Sequence, residues 1–286
     1  MTEPRSADPL AGCRRGPEYF RFLERDGADW DAWWDVLRGR VAGAIFRGAL
    51  TPDVCASICR NFWNSPLLAS PARAVRSADR VVGPVLVSAA SLDAYLDDCE
   101  RTRPEIAAIS DVPGRSLPAL LDDCRAHLAK RDVELRLAEH GGRQAAPYKL
   151  RSRADSESFG LRPHDDTPHG WPTPRLADFE ALRIKRVCNA LACFENGAGG
   201  ELVYWNAAPG PEERRTLGMP PGNYGYPLEA LTGLEKITLE IRPGDVYVFD
   251  GGHVHAVAPS GERDVRRTTA VWMTGPLDDR TVLQWA

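Results

Sequence analysis

The sequence predicts an α+β protein with a mainly β core, a two-sheet jelly roll flanked by N-terminal helices. Three observations carry that expectation. After Gly141-Gly142 the chain breaks into eight short apolar or alternating runs, at about 147–153, 159–164, 184–194, 200–205, 236–241, 245–249, 254–258 and 266–273, separated by turn-rich pieces such as Glu195-Asn196-Gly197 and Arg242-Pro243-Gly244-Asp245. Many short strands with such punctuation pack as two facing sheets. Before residue 141, capping residues stand at the head of helix-forming stretches instead. Finally, the Pro/Gly-rich segment 206–228 is too long for a hairpin turn and reads as a surface insertion or lid.

Taken in order, residues 1–17 mix Pro, Gly and charge without apolar periodicity, which predicts a flexible N-terminal arm. Residues 18–140 are expected to form a mostly helical region packed on the core. Tyr19 to Leu37 carries Phe20, Phe22, Leu23, Trp30, Trp33, Trp34 and Leu37 and reads as a helical aromatic segment broken near Gly27. Val41 to Phe46 suits a short strand. Thr51-Pro52-Asp53 supplies an N-cap with proline in the first turn, predicting a helix over 52–63. Ser91 and Ser116, with Pro104 and Pro118 near helix starts, point to helices at about 91–100, 103–110 and 117–131. Residues 141–286 then form the core.

With 286 residues and 43% hydrophobic content, the chain can bury one large core. Its formal net charge of −4 offers no overall attraction to nucleic acid or to an anionic membrane, so a small-molecule partner is expected. The start lacks the apolar stretch of a secretory signal and no run is long enough to span a bilayer, which places the protein in the cytosol by default. Seven cysteines, odd in number and without CxxC pairs, indicate neither a disulfide framework nor a zinc ribbon.

The chemistry concentrates in His164, Asp166 and His255, with Arg266 eleven residues beyond. Two imidazoles and one carboxylate on one face of a metal leave the opposite positions open, as a non-haem Fe(II) centre needs in order to bind a co-substrate and O₂ together. The arginine's planar fork suits the far carboxylate of a diacid chelating the metal. Alternatives stand beside each choice. His253 has the same strand parity as His255, which is preferred for its spacing from Arg266; His253 then either supports the metal ligands from behind or contacts the substrate. His169 sits in a loop. Arg263 and Arg267 compete with Arg266, which shares a strand face with Thr268, Ala270 and Trp272, and Thr268 would add a hydroxyl donor. Lys149, Arg151 and Arg153 alternate just before the first motif, a cationic wall for an anionic substrate or a solvated face. Arg153 and Trp171 are the further substrate candidates, and the 165–181 segment is a candidate lid.

Together HDD at 164–166, AGGELVYW at 198–205, RPGDVYVFDGG at 242–252, HAV at 255–257 and RRTTAVW at 266–272 resemble the Fe(II)/2-oxoglutarate-dependent oxygenase superfamily. The chain looks most like its freestanding small-molecule hydroxylase and halogenase branch, over about residues 40 to 275. The resemblance implies a double-stranded β-helix, iron on His164, Asp166 and His255, and 2-oxoglutarate on Arg266 with Thr268. It also implies that O₂ is consumed, with succinate and CO₂ released. The halogenases place a small residue where this chain has Asp166, so hydroxylation is the expected outcome. No side-chain nucleophile or general base is required, because the cofactors supply the hard chemistry. Desaturation, cyclisation or epimerisation with the same cofactors, and a non-catalytic metal-containing jelly roll, are the competing readings.

Overall fold

Local sequence signals decide where the elements begin, and the alternation of side chains decides how they pack. The computed structural model describes residues 10–70, 79–153, 159–167, 173–219, 225–260 and 266–286. In chain order the elements are β1 (Phe22–Asp26), α1 (Trp30–Leu37), β2 (Gly43–Arg47), α2 (Pro52–Trp63), β3 (Arg80–Val82), α3 (Leu92–Ser110), α4 (Leu117–Ala129), β4 (Glu134–Leu137), β5 (Glu139–His140), β6 (Arg143–Gln144), β7 (Lys149–Arg153), β8 (Leu161–His164), β9 (Cys188–Glu195), β10 (Leu202–Trp205), α5 (Pro211–Thr216), β11 (Lys236–Leu239), β12 (Val246–Asp250), β13 (His255–Val257), β14 (Arg267–Pro276) and β15 (Thr281–Trp285). The architecture is mixed α+β and rich in sheet.

Side-chain caps start the four longer helices. Asp29 accepts from the amides of Asp31 and Ala32, and Thr51, Ser91 and Ser116 each accept from the amide three residues on. The two helices expected at 91–100 and 103–110 are one. Helix α3 runs through Pro104 without a break.

A nine-stranded sheet runs β1-β2-β12-β9-β14-β15-β4, with β7 also on β14 and β3 on β7. A four-stranded sheet runs β11-β10-β13-β8. One face of the larger sheet is covered by helices: Trp33, Ile58, Phe62 and Leu96 join Ala190, Ala192, Ala270 and Trp272 in one buried cluster. Its other face meets the smaller sheet, where Ile45, Tyr247 and Phe249 pack with Leu202 and Tyr204.

All eight expected strands after residue 141 form. The N-terminal region differs from expectation, because it contributes β1 to β4 to the larger sheet instead of packing as a helical layer alone. Phe22–Asp26, expected to be helical, is a strand parallel to β2, with Phe22 opposite Gly43 and Glu24 opposite Ile45. Helix α1 starts only after Gly27, at φ 71°, has turned the chain. The insertion expected at 206–228 holds α5 in its described part.

Candidate metal centre

Between the two sheets lies a cavity of about 350 Å³. Strands β7, β9, β12 and β14 supply one wall and β8, β10 and β13 the other, with His164, Asp166 and His255 among the lining residues. A second hollow, of about 450 Å³, lies beyond Val81 and Val85 against α3 and contains no histidine among its described lining.

His164 ends β8 and His255 opens β13, and the two are paired directly across that antiparallel ladder. Their ring centroids are 4.3 Å apart. Asp166 follows two residues later, where its amide donates to the carbonyl of Gly251 at 2.8 Å. Only glycine permits that approach without displacement: a Cβ at 251 would lie 3.2 Å from the Val187 carbonyl and 3.3 Å from Asp166 Cβ. Asp166 Oδ2 is 3.2 Å from His255 Nε2 and 3.7 Å from His164 Nε2. One donor atom from each of the three residues lies within 4.8 Å of the others.

The remaining ring nitrogens fix the tautomers. His164 Nδ1 donates to the Arg162 carbonyl at 2.7 Å and His255 Nδ1 to the His253 carbonyl at 2.9 Å, so both Nε2 lone pairs face the centre, where that of His255 lies 3.3 Å from the Asn189 amide nitrogen. The Asn189 amide donates to Asp166 and orients its carboxylate. Burial, followed by the neighbouring His255, holds the His164 pKa below its usual value, keeping the imidazole neutral. Burial alone would raise Asp166, but the two imidazoles outweigh it and its pKa falls well below the carboxylate range. Two imidazole nitrogens and one carboxylate are thus presented together.

Asp165, between two of these residues, points the other way. Its buried carboxylate accepts from Arg214 of α5, from the Tyr226 hydroxyl at 2.5 Å, and from the Thr167 amide and hydroxyl at 3.0 and 2.5 Å. Strand alternation predicts the direction of Asp165 but does not reveal these partners.

The expectation for Arg266 and Thr268 is corrected by the geometry. The parity of β14 is as expected, but the face is reversed. Arg267, Thr269, Val271 and Met273 face the cavity, whereas Ala270 and Trp272 join the helix-packed core. Arg266 stacks on Trp63 at 4.2 Å and the Thr268 hydroxyl donates to Glu195 at 2.8 Å, both away from the cavity. Arg267 is held by the Asn196 side chain at 2.7 Å and the Gly199 carbonyl at 3.2 Å. Its guanidinium occupies the space a Cβ on Gly200 would take, which accounts for the glycine in AGGELVYW.

His253 is corrected as a substrate contact and instead backs the centre, its carbonyl accepting from His255 Nδ1. It precedes β13, so strand parity does not govern it, and it is buried among Tyr19, Phe20 and Tyr204 with Nδ1 3.2 Å from the Trp205 carbonyl, outside the cavity lining. Arg153 does line the cavity, as do Lys149 and Arg151. Trp171, His169, Arg263 and part of the proposed 165–181 lid lie outside the described residues. Asn189 is absent from the sequence candidates, although a polar residue inside the otherwise apolar run Cys188–Phe194 is its signal.

A metal-binding triad at the floor of a cavity between two sheets defines a class of site, and known proteins share the architecture around it. No family model matches the chain. An N-substituted L-amino acid dioxygenase from Burkholderia ambifaria AMMD superposes with a TM-score of 0.58 over 92% of this chain and 97% of that one, at 13% identity. The same enzyme in complex with alpha-KG gives 0.54 over the same shares, at 14% identity. The likeness at that identity is one of fold. In sequence, 132 residues are 31% identical to L-isoleucine 3(1)-dioxygenase of Pantoea ananatis (strain AJ13355), covering 46% of this chain and 44% of that enzyme. The match therefore spans less than half of that relative.

Proposed function

We propose that this protein is an Fe(II)/2-oxoglutarate-dependent dioxygenase that hydroxylates an unactivated C–H bond of a small molecule, an amino acid or natural-product intermediate, in the cytosol. The two sheets are read as the double-stranded β-helix of that superfamily. The observation that carries the proposal is the convergence of His164, Asp166 and His255 on one point of a small cavity.

The donor set fits the metal: two Nε2 atoms with fixed tautomers and one carboxylate would hold a ferrous ion. Bound there, iron with 2-oxoglutarate and O₂ supplies the oxidising power, and succinate and CO₂ are the co-products. The protein's part is placement and exclusion of water. Arg267 and Thr269, rather than Arg266 and Thr268, are assigned to the distal carboxylate of 2-oxoglutarate, since both face the cavity. Asn189 holds the Asp166 carboxylate in position. Leu161, Leu202 and Val257 of the smaller sheet give the substrate an apolar wall. The volume is near the lower end of the ~300–1,000 Å³ typical of small-molecule sites, so it suits a metabolite and not a polymer.

The test is succinate formation from 2-oxoglutarate with Fe(II) and O₂. His164→Ala and Asp166→Ala are each expected to abolish it and metal binding together, while His253→Ala retains the metal. Retention of full turnover by either ligand variant would end the proposal.

A further inference from the structure

The turn from the end of β12 to His255 meets the metal centre at two carbonyls. That of Gly251 accepts from the Asp166 amide at 2.8 Å, and that of His253 accepts from His255 Nδ1 at 2.9 Å. His164 is oriented within its own strand, by the Arg162 carbonyl. Two of the three donors therefore depend on one turn, and a shift of that turn moves them relative to the third.

Asp250 shapes this turn from within. Its Oδ1 accepts from the Gly252 amide at 2.9 Å, and its carbonyl accepts from the His253 amide at 3.3 Å and from the buried Tyr204 hydroxyl at 2.8 Å. An asparagine would serve for those contacts equally well. The second carboxylate oxygen asks for more: Oδ2 accepts from the Tyr19 hydroxyl at 2.5 Å and from the Arg186 guanidinium, and these two partners are themselves 3.3 Å apart. Burial, followed by Asp250, pushes the Tyr19 phenol pKa upward, so the hydroxyl stays a donor. Arg186 is seated against Gly39, at φ 67°, where a Cβ would come within 2.5 Å of the guanidinium carbon. The Tyr19 ring stacks on His253 with centroids 5.5 Å apart. Its backbone joins in: the Ala42 amide donates to the Tyr19 carbonyl at 2.8 Å, and the Asp250 amide donates to the Ala42 carbonyl at 2.9 Å. A residue 231 positions away in sequence thus grips the turn by ring, hydroxyl and backbone.

We propose that Tyr19, Asp250 and Arg186 are positioning residues of the metal centre: by clamping the Asp250 carboxylate they set the two turn carbonyls on which Asp166 and His255 depend. The inference rests on the metal-centre reading of the proposed function and deepens it. None of the three is a ligand; they act through the turn. Hydrogen bonds to an ionised carboxylate are about twice as strong as neutral ones, which suits a brace that fixes a glycine-rich turn. An outer partner that orients a ligating side chain is worth about 10–100-fold in metal affinity.

The full-length protein is titrated with Co(II) and read by proton NMR, where the paramagnetic ion displaces the solvent-exchangeable Nδ1 protons of its two histidine ligands into a window of their own. Asp250→Asn keeps an oxygen for the Gly252 amide but offers Tyr19 and Arg186 no second acceptor. It is expected to weaken Co(II) binding by about tenfold or more. Tyr19→Phe, which keeps the ring on His253, should weaken it by about threefold. In both variants one Nδ1 signal, that of His255, should move or exchange faster while the other, that of His164, holds its place. Wild-type affinity with both signals unmoved overturns the proposal. So does an equal displacement of the two signals, the mark of general loosening instead of a positioned turn. Should Asp250→Asn fail to fold, Tyr19→Phe decides by the same criteria. Wild-type protein that takes up no Co(II) instead removes the metal-centre reading, and the positioning role with it.

Discussion

Two adjacent arginines show how much chemistry depends on a single step along a strand. Arg266 and Arg267 are identical in composition, yet one stacks on Trp63 and the other reaches the cavity. Arg267→Gln is therefore expected to raise the KM for 2-oxoglutarate by on the order of tenfold or more, since a charge-assisted bidentate contact is worth about 1.5–3 kcal/mol. Arg266→Gln should leave it unchanged. Steady-state succinate assays on both variants decide the matter. Lys149 makes a second prediction, in stability. Its pKa falls from the ordinary lysine value of 10.5 to about 8 in the fold, so below about 8 the native state carries the full cost of a partly desolvated charge. That cost disappears as the pH rises from about 8 towards 10.5, where the unfolded chain also loses its proton. Lys149→Met should raise the melting temperature at pH 7, and its advantage should shrink across that window. A melting series over pH reads both effects.

Among the elements, α5 has a role larger than its six residues suggest. Through Arg214 it reaches the carboxylate of Asp165, flanked by two members of the triad, and the side chains are 6% and 0% exposed. Tyr226 adds its hydroxyl, and its amide donates to the Pro163 carbonyl at 2.7 Å. The loop that presents His164 and Asp166 is thus pinned from the side opposite the cavity. Arg214→Met leaves Asp165 buried without its cation and is expected to cost about 3–5 kcal/mol in denaturant unfolding. Adding Asp165→Asn should restore part of that loss, because it removes the orphaned charge. No recovery in the double variant would mean that the arginine matters through packing alone.

What is legible in the sequence follows the range of the forces involved. Helix starts at Thr51, Ser91 and Ser116 are readable because a cap and the amide it satisfies are three residues apart. Strand positions after residue 141 are readable from alternation and turns. The parity of β14 is readable too, but parity does not say which face meets the helices. That depends on distant partners. Trp272, at 6.0 Å from Trp33, belongs to the covered face, and a large apolar residue in phase with Arg266 is the clue that this face is packed. His253 misleads for a related reason: the Gly251-Gly252 turn delays β13 until His255, so the two-residue period has not begun. The strand Phe22–Asp26 resembles helix in sequence because its aromatic neighbours mask a short alternation.

For the molecule as a whole, the site lies where the sheets meet, and its three donors come from strands or loops separated by up to 91 residues in the chain. The unfolded chain cannot hold them together, so metal binding and folding are linked. At metal concentrations about 100 times the dissociation constant, the folded state should gain about 2.7 kcal/mol. Adding a chelator should lower the melting temperature of the wild type and leave that of Asp166→Ala unaffected. Equal shifts in both proteins would indicate metal held elsewhere. Among the described residues no helix is long and apolar enough to cross a membrane.

Strand β14 divides its labour by alternate residue. Positions 268, 270 and 272 are sealed against other protein, while 269, 271 and 273 look onto whatever the cavity holds. Trp272→Ala should sacrifice about 3–5 kcal/mol of fold, but 271 and 273 are open to diversification for new substrate scope without eroding the scaffold. A selection campaign confined to those two codons would explore chemistry at nearly constant thermal resilience.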